Sequence, residues 1–397
     1  MKPSGIQSGI QKRIEGELAK LREAAQFRRL SVGEGVSFCS NDYLGLTSDA
    51  RLLEAARAAV ESVGRVGSTG SRLLSGNATE WEEVEREFAE FAGTEAALYF
   101  TSGYGANVGL LSALLKPGDV VFSDAANHAS LIDGIRLSNA EKVIYPHGDL
   151  GALEGALRGM DSRRMAGGAR VIVTETTFSM DGDAPDLDAL FALAGKYEAE
   201  VILDEAHSTG VRGPQGRGAA VEKGREREAL GIMHACGKAL GSAGAFICCS
   251  ATLKSYLINH ARSFIFSTAA PPYLAGQIGA AVKLARAADE KRAHLRDIST
   301  MLRGLLREVG FDIPEGDSPI VPVIVGENQA AVFYAQYLQE HGFDVRAIRP
   351  PTVPEGTSRL RLSLIANMDA ALIERVAECI IEARESLQQP LSAAASR

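Results

Sequence analysis

The chain contains an apolar run that ends in a carboxylate, Val201-Ile202-Leu203-Asp204, and a histidine, His207, follows three residues later. Such a run predicts a buried parallel strand, and polar residues at its carboxyl end lie where open α/β sheets bind ligands. Further along, Lys238 stands alone in the small and apolar stretch Cys236-Gly237-Lys238-Ala239-Leu240-Gly241. A lysine in such surroundings is poorly solvated, which favours the neutral amine and suits it to Schiff-base chemistry.

Asp204 and Lys238 are together the two groups that pyridoxal phosphate (PLP) requires. The carboxylate keeps the pyridine nitrogen protonated, and the lysine holds the aldehyde. Taken singly, Asp204 is also compatible with a metal ligand or a helix cap, and Lys238 with a solvated surface residue. Their joint occurrence in an α/β pattern favours a PLP site and predicts no metal.

The composition indicates a globular enzyme with more than one domain. A chain of 397 residues is long for one core, so a large domain and a smaller one are expected. The formal charge of −8, without a long basic block, argues against nucleic acid as a partner. The 41 glycines are clustered, as in loops that bring backbone close to a ligand.

The cysteines and the N-terminus predict a cytoplasmic protein. The cysteines are odd in number, and they lack metal-ligand spacing: Cys39, Cys236, Cys248, Cys249 and Cys379. Buried, reduced thiols in a reducing compartment are therefore expected. The N-terminus lacks an apolar signal core, and no stretch is long enough to span a membrane.

Strand and helix patterns alternate through most of the chain, which predicts an α/β fold with a mainly parallel sheet that is covered on both faces. Strand signals lie at 96–100, 119–123, 142–145, 170–175, 200–204 and 243–249. Helical patterns include 11–30, 49–63, 79–92 and a long charged stretch at 271–308.

The same patterns divide the chain into four predicted parts: an N-terminal arm (1–48), a large domain (49–285), a small α+β C-terminal domain (286–388) and a frayed tail (389–397). The arm contains a strand signal that begins at Phe38 and runs into a turn that ends at Leu46. The small domain is predicted to hold strands at 320–325, 344–348 and 358–364 and helices at 327–341 and 368–386.

Several polar residues follow predicted strands and are candidates for the site. His128 can stack on a flat heteroaromatic ring, although a lone histidine is more often structural. Ser179 can bond a phenolic oxygen or simply cap its turn. In the predicted strand at 358–364, Arg359 and Arg361 face one side, which suits capture of a carboxylate or a solvated edge.

A glycine-rich turn after the strand at 96–100 opens a helix: Thr101-Ser102-Gly103-Tyr104-Gly105-Ala106-Asn107. Free backbone N–H groups at a helix N-terminus form a ready phosphate site. The signal is weak by itself, because many α/β turns are rich in glycine.

Taken together, the motifs resemble those of the α-oxoamine synthases, PLP-dependent acyltransferases of fold type I (the aspartate-aminotransferase fold), over nearly the whole chain and in order. This resemblance implies a mainly parallel, seven-stranded sheet in the large domain. The motifs are Asn41-Asp42-Tyr43-Leu44-Gly45-Leu46, the stretch 67–76, Thr101 to Asn107, His128-Ala129-Ser130, Phe178-Ser179-Met180-Asp181-Gly182, Asp204-Glu205-Ala206-His207-Ser208-Thr209-Gly210, Gly237-Lys238 and Ser267-Thr268.

The resemblance implies specific roles for residues around the cofactor. Lys238 would form the Schiff base and Asp204 would pair with the pyridinium nitrogen. His128 would stack on the ring, while Ser179 and His207 would approach its phenolic oxygen. The phosphate would be held by backbone at Gly103 and Tyr104 and by Ser267 and Thr268 of the neighbouring subunit, in a homodimer with shared active sites.

The resemblance also implies substrate contacts. Arg361, with Asn41, would bind the carboxylate of the amino acid, and Arg28 and Thr352 would line the acyl-substrate site. The alignment leaves open whether Arg28 or Arg29 makes that contact.

One departure from the family pattern concerns the phosphate. The family commonly has a threonine three residues before the lysine, and Ala235 stands there instead. A lost charge-assisted hydrogen bond is worth roughly 1.5–3 kcal/mol, so the affinity for PLP would fall unless Ser242 or a water replaces it.

The stretch Ile348-Arg349-Pro350-Pro351-Thr352-Val353-Pro354 resembles the branch that condenses L-alanine with a pimeloyl thioester, carried on CoA or acyl carrier protein, in biotin biosynthesis. Two alternatives stay open: a branch that uses glycine and a short acyl-CoA, and a non-catalytic subunit. An aminotransferase of the same fold is also possible, since it would share the Asp204 and Lys238 core.

Overall fold

Seven strands form the central sheet of the computed structural model, which describes residues 9–161 and 168–388. Counting the smaller sheets as well, the described residues form twelve strands. In chain order they are β1 Val36–Ser37, β2 Ala96–Phe100, β3 Val120–Asp124, β4 Glu141–Tyr145, β5 Arg170–Glu175, β6 Glu200–Asp204, β7 Gly231–Ala235, β8 Ala245–Cys249, β9 Ile320–Gly326, β10 Phe343–Asp344, β11 Ala347–Ile348 and β12 Ser358–Ser363. The predicted tail at 389–397 lies outside the described residues.

Helices connect most of these strands. They are α1 Gly9–Glu23, α2 Ala50–Val63, α3 Thr79–Ala92, α4 Gly103–Leu114, α5 Ala129–Ser138, α6 Leu150–Asp161, α7 Leu187–Lys196, α8 Ala219–Glu222, α9 Ala251–His260, α10 Arg262–Ile265, α11 Tyr273–Arg286, α12 Asp289–Glu308, α13 Asn328–Glu340 and α14 Ala370–Gln388.

The strand order of the central sheet is β2-β8-β7-β6-β5-β3-β4. The neighbours from β7 to β4 are parallel, and β8 alone runs antiparallel to β2 and β7. The predicted α/β fold with a mainly parallel seven-stranded sheet is therefore confirmed. Val121, Ile172 and Ile202 are almost fully buried, as expected of parallel strands covered on both faces.

By its internal contacts the described chain divides into two units. The sheet unit comprises Asn41–Arg296 and Ile365–Asn367, and the terminal unit comprises the described residues up to Ser40, Asp297–Leu364 and those from Met368 onward. The predicted domain bounds at 48/49 and 285/286 stay predictions.

The terminal unit contains a small antiparallel sheet with the order β11-β12-β9. The short strand β1 pairs in parallel with β10, so that Val36 lies opposite Phe343. Because β1 comes from the N-terminal arm, the first part of the chain and the C-terminal part belong to one unit.

Three local predictions were wrong in extent. The helix predicted at 11–30 ends at Glu23, because Ala25 adopts a left-handed φ of 52° that a helix cannot continue. The strand predicted from Phe38 is a set of turns, in which the Asp42 carboxylate accepts the N–H groups of Leu46 and Thr47 at 2.8 and 3.0 Å.

The third is the long helix predicted at 271–308, which is two helices, α11 and α12. The guanidinium of Arg292 donates to the carbonyls of Ala285 and Arg286, so it supplies hydrogen bonds to carbonyl groups at the end of α11.

Strand β7 was not predicted, because Gly231-Ile232-Met233-His234-Ala235 is short and carries a single β-branched residue.

Among the described residues, no helix is both long and apolar enough to cross a bilayer.

Candidate active site

The candidate catalytic side chains come from the same edge of the central sheet. Asp204 ends β6, Glu175 ends β5, His128 follows β3 and Lys238 follows β7. Since these four strands are parallel neighbours, their carboxyl ends meet at one edge. Two carboxyl groups, a histidine and a lysine therefore lie at the carboxyl-end edge of the central sheet.

A cavity of about 400 Å³ opens at this edge. This volume lies within the usual range for a small-molecule site. Among the residues that line it are six predicted site residues: Gly103, Tyr104, His128, Asp204, His207 and Lys238. The structure thus brings these six together, and their individual roles stay predictions.

Lys238 is held by His207 on one side of the cavity. Nζ of Lys238 lies 2.6 Å from Nε2 of His207, and Nδ1 of the same ring lies 2.6 Å from the hydroxyl of Tyr43. The hydroxyl of Tyr43 donates to Oδ1 of Asn41, so it accepts from Nδ1 of His207, which leaves Nε2 to accept a hydrogen from Nζ of Lys238. Tyr43 and His207 are almost fully buried, which fixes the position of the amine.

Asp204 is buried at 3% exposure and is hydrogen-bonded through both carboxylate oxygens. Oδ1 accepts the backbone N–H of Ala206 at 2.8 Å, and Oδ2 accepts Nδ2 of Asn107 at 2.7 Å. These two donors hold the carboxylate in a fixed position. A buried carboxylate that lines a cavity suits a cationic ring nitrogen.

His128 precedes α5 and caps that helix. Nδ1 lies 2.8 Å from Oγ of Ser130 and 3.3 Å from its backbone N–H. Desolvation lowers the pKa of His128 below its ordinary value, against the opposing effect of Asp204, and the charge of Lys238 adds to the lowering. The neutral imidazole is therefore the favoured form.

Glu175 lies beneath these groups and was not singled out from the sequence. Its Oε1 accepts the backbone N–H of His128 at 2.7 Å, and the carboxyl group also accepts backbone N–H from Ser179. Burial, reinforced by the negative charge of Asp204, raises the pKa of Glu175 to about 8. One buried carboxyl group thus ties the turns of two predicted site residues together.

His147 connects two further loops at this edge. Nδ1 lies 2.8 Å from Asp124 and Nε2 lies 2.8 Å from Asp183, and these hydrogen bonds raise the pKa of His147 to about 10. The backbone carbonyl of Asp183 accepts from Phe178 at 2.9 Å, which closes the turn that contains Ser179. The imidazolium therefore stabilises that turn.

The start of helix α4, which also lines the cavity, suits an anion. Helix α4 begins at Gly103, and Oγ of Ser102 caps it by accepting the N–H of Gly105 at 3.0 Å. The N–H groups of Gly103 and Tyr104 have no partner within the helix, and the helix dipole attracts negative charge there.

Ala235 and Ser242 line the same cavity. Ala235 offers no side-chain donor, whereas Oγ of Ser242 is buried and lacks a hydrogen-bond partner among the described residues. The backbone N–H of Ser242 donates to the carbonyl of Cys236, which places Ser242 just beyond the end of β7. An unpaired buried hydroxyl in a cavity wall is a ready donor for a bound anion.

These features fit PLP. The cavity offers an amine at Lys238, a buried carboxylate at Asp204 and an anion site at the start of α4. The three groups correspond to the aldehyde, the ring nitrogen and the phosphate of PLP.

The other predicted residues lie elsewhere. Ser267 and Thr268 line a second, smaller cavity together with Arg72 and Tyr99. Ser179 sits in the turn after β5. Asn41 accepts from the hydroxyl of Tyr43 at 3.1 Å, so it lies beside the partner of His207.

Arg28, Thr352 and Arg361 belong to the terminal unit. Nη2 of Arg28 donates to Oγ1 of Thr352 at 3.2 Å, so the two predicted acyl-site residues are in contact. Arg29 instead lies over the ring of Phe27.

Arg359 and Arg361 are at most 8% exposed, so the interpretation of β12 as a solvated edge is wrong. Arg361 donates to Oγ of Ser363 at 2.6 Å.

Comparison with known families supports the assignment of the fold. A family model of class I and II aminotransferases matches residues 34–380. The 8-amino-7-oxononanoate synthase of Geobacter sulfurreducens is 45% identical over 377 residues, which cover 91% of this chain and 95% of that protein. The enzyme of the same name from Herminiimonas arsenicoxydans is 44% identical over 346 residues, with 86% and 88% covered.

Solved structures also show the same fold. A serine palmitoyltransferase of S. paucimobilis with a bound PLP-myriocin aldimine superposes with a TM-score of 0.87 at 30% identity, covering 96% of this chain and 99% of that chain. The 8-amino-7-oxononanoate synthase of Francisella tularensis superposes with a TM-score of 0.76 at 30% identity, covering 89% and 98%. The predicted type I fold is thereby confirmed.

Proposed function

Because the chain belongs to the class I and II aminotransferases, and within them to the 8-amino-7-oxononanoate synthases, we propose that it joins L-alanine to a pimeloyl thioester with loss of CO2. The observation that carries the proposal is the convergence of Lys238, Asp204, His207 and the start of α4 on one cavity. An amine, a buried carboxylate and an anion site in that arrangement match PLP group by group.

PLP, when bound, supplies the electron sink that stabilises a carbanion at the α-carbon of alanine. The residues of the chain bind and orient the reacting groups and move the protons. Asp204 would hold a proton at the ring nitrogen, and hydrogen bonds from Asn107 and Ala206 keep that carboxylate oriented.

Lys238 serves first as the attachment point and then as the base that removes the α-proton from alanine. His207 lies 2.6 Å from Nζ, so it accepts a hydrogen bond from the lysine and holds the amine towards the cavity. Tyr43 supports His207 from the other side at 2.6 Å. This two-residue support limits the freedom of a side chain that otherwise has four rotatable bonds.

The substrate contacts belong to the proposal as well. Arg361, with Asn41, is proposed to bind the alanine carboxylate, and Arg28 and Thr352 the acyl group. The direct contact between Arg28 and Thr352 supports a shared role for the pair.

A homodimer is proposed in which Ser267 and Thr268 reach the phosphate of the partner subunit. The predicted cytoplasmic location stays a prediction. The proposal includes either carrier of the pimeloyl group, CoA or acyl carrier protein.

Reduction of the PLP-treated protein with borohydride, followed by peptide mass mapping, tests the attachment. A single pyridoxyl group on Lys238 is expected. Modification at another lysine, or none, would overturn the assignment of the cavity.

Assays with different substrate pairs then separate the branches of the family. L-alanine with pimeloyl-CoA is expected to release CO2, whereas turnover with glycine and acetyl-CoA alone would place the chain in the glycine-using branch. Formation of pyridoxamine phosphate without CO2 would indicate an aminotransferase.

A further inference from the structure

Asn107 bridges two groups of the cavity through one nitrogen. Its Nδ2 lies 2.7 Å from Oδ2 of Asp204 and 2.9 Å from Oγ of Ser130. An amide nitrogen carries two hydrogens and no acceptor, so each hydrogen serves one of these contacts. The opposite orientation of the amide would place its oxygen against the Asp204 carboxylate, which excludes it.

Ser130 is therefore an acceptor towards Asn107, and its own hydrogen is available for one further contact. That contact is Nδ1 of His128, at 2.8 Å. The backbone N–H of Ser130 lies 3.3 Å from the same nitrogen, and an N–H group can only donate, so Nδ1 is an acceptor. The hydroxyl of Ser130 therefore donates to Nδ1 as well, and two donors meet one acceptor.

We propose that Asn107 and Ser130 are positioning residues that fix His128 in a single neutral tautomer, with its proton on Nε2. The chain of hydrogen bonds runs in one direction: Asn107 donates to Asp204 and to Ser130, and Ser130 donates to His128. Asn107 and Ser130 are each 1% exposed, so water does not compete for these contacts.

A second observation supports the donor role of Asn107. Its Oδ1 is buried and lacks a hydrogen-bond partner among the described residues. An unsatisfied buried acceptor costs about 1–3 kcal/mol. Both donors of the amide are used while its acceptor is left unpaired, so the side chain serves the two oxygens that it contacts.

The tautomer determines what His128 does in the cavity. With Nδ1 occupied, the only polar group that the ring can present to a ligand is the Nε2–H donor. His128 then recognises an acceptor atom, such as a carboxylate or carbonyl oxygen, and does not accept a proton at Nδ1. For the proposed substrates such acceptors are the alanine carboxylate and the thioester carbonyl, and this consequence rests on the proposed function.

The tautomer itself can be tested without cofactor or substrate, so its failure is distinct from failure of the proposed function. Nitrogen NMR of the full chain with labelled histidine reports which ring nitrogen is protonated, and a His128→Gln variant assigns the signal among the seven histidines. The wild-type protein is expected to show His128 neutral and protonated on Nε2 at pH 7. Protonation on Nδ1, or an even mixture, would overturn the proposal.

Variants then test the positioning residues. Ser130→Ala is expected to give a tautomer mixture and a higher titration midpoint for His128, since a donor to Nδ1 opposes protonation there. Ser130→Thr keeps the hydroxyl and is expected to restore the wild-type spectrum.

Ser112→Ala is the matched control, because within the described part of the chain that hydroxyl bonds to the Val108 carbonyl of its own helix and to no other group. An unchanged tautomer and midpoint in Ser130→Ala would contradict the role of Ser130. The wild-type spectrum decides the tautomer even if that variant does not fold.

Discussion

Nζ of Lys238 lies 2.6 Å from Nε2 of His207, and the same imidazole contacts the hydroxyl of Tyr43 through its other nitrogen. The lysine comes from the loop after β7 and the histidine from the loop after β6, so the pair exists only because these strands are parallel neighbours. The lysine lines the same cavity as Asp204, which ends β6. This arrangement explains why a lysine and a carboxylate 34 positions apart in the sequence serve one site.

Replacement of Lys238 by alanine removes both the attachment point and the base. We expect the release of CO2 from L-alanine and pimeloyl-CoA to fall by at least about 10²–10⁴-fold, the usual contribution of a positioned base. Steady-state CO2 release measures it. Lys283→Ala, on the exposed face of α11, is the control and should keep wild-type activity. Activity of Lys238→Ala within threefold of wild type would contradict the assigned role.

The charge of Asp204 is expected to matter more than its shape. Asp204→Asn conserves size but removes the negative charge, and its new NH2 group faces the donor Nδ2 of Asn107 at the 2.7 Å contact. A charge-assisted hydrogen bond is worth about 1.5–3 kcal/mol, so PLP affinity should fall roughly 10- to 100-fold.

Equilibrium titration with PLP, followed by visible absorbance, measures this loss. Asp188→Asn, at an exposed ion pair with Lys223, is the matched control. Equal affinity in wild type and Asp204→Asn would show that no cationic ring nitrogen binds there.

Ser242 is expected to take over the phosphate contact that Ala235 cannot make. Its buried hydroxyl lacks a partner among the described residues and lines the cavity. Ser242→Ala should weaken the binding of PLP by roughly 10-fold, within the range for a hydrogen bond to a charged group, and should leave the binding of pyridoxal unchanged.

The two ligands differ only in the phosphate, so their comparison isolates this contact. Parallel titrations with both ligands decide the matter, and Ala235→Ser is expected to recover affinity in the Ser242→Ala background. Equal weakening of both ligands would indicate a general effect on the cavity instead.

The His147 contacts with Asp124 and Asp183 should make stability depend on pH. The pKa of His147 is raised from 6.5 to about 10 in the folded chain. A raised pKa means that the stabilisation is complete below pH 6.5 and is lost as the pH rises through about 10. His147→Gln should therefore destabilise the protein by roughly 0.5–3 kcal/mol at pH 6 and by clearly less at pH 10.

Denaturant unfolding of both proteins at pH 6, 8 and 10 gives these differences. His260→Gln, at a histidine that stacks on Tyr256 and contacts the backbone carbonyl of that residue, is the comparison variant, and its difference should change less with pH than that of His147→Gln. A His147→Gln difference that stays constant or grows with pH would exclude the imidazolium bridge.

Most strands of the sheet and the six predicted residues that line the cavity were predictable because each carries a local signal. Val201 to Asp204 shows a buried strand with a polar end, and Lys238 stands out as a charge among small residues. Parallel order then brings such strand ends together without further information.

Asn107, Ser130 and Glu175 were not predicted as site residues, because their roles depend on contacts across strands and helices. Asn107 sits in the interior of α4 and looks like any polar helix residue until Asp204, 97 positions away, is found beside it. Glu175 ends a strand, as expected of a site residue, but only the structure shows it holding His128 and Ser179.

The most direct test of the central claim uses L-alanine labelled with ¹³C at the carboxyl group, the PLP-loaded protein and pimeloyl-CoA. The account predicts labelled CO2 in equal amount to the free CoA, with no release when either substrate is omitted. Release of CoA without labelled CO2, or no reaction from a protein that binds PLP at Lys238, would contradict it.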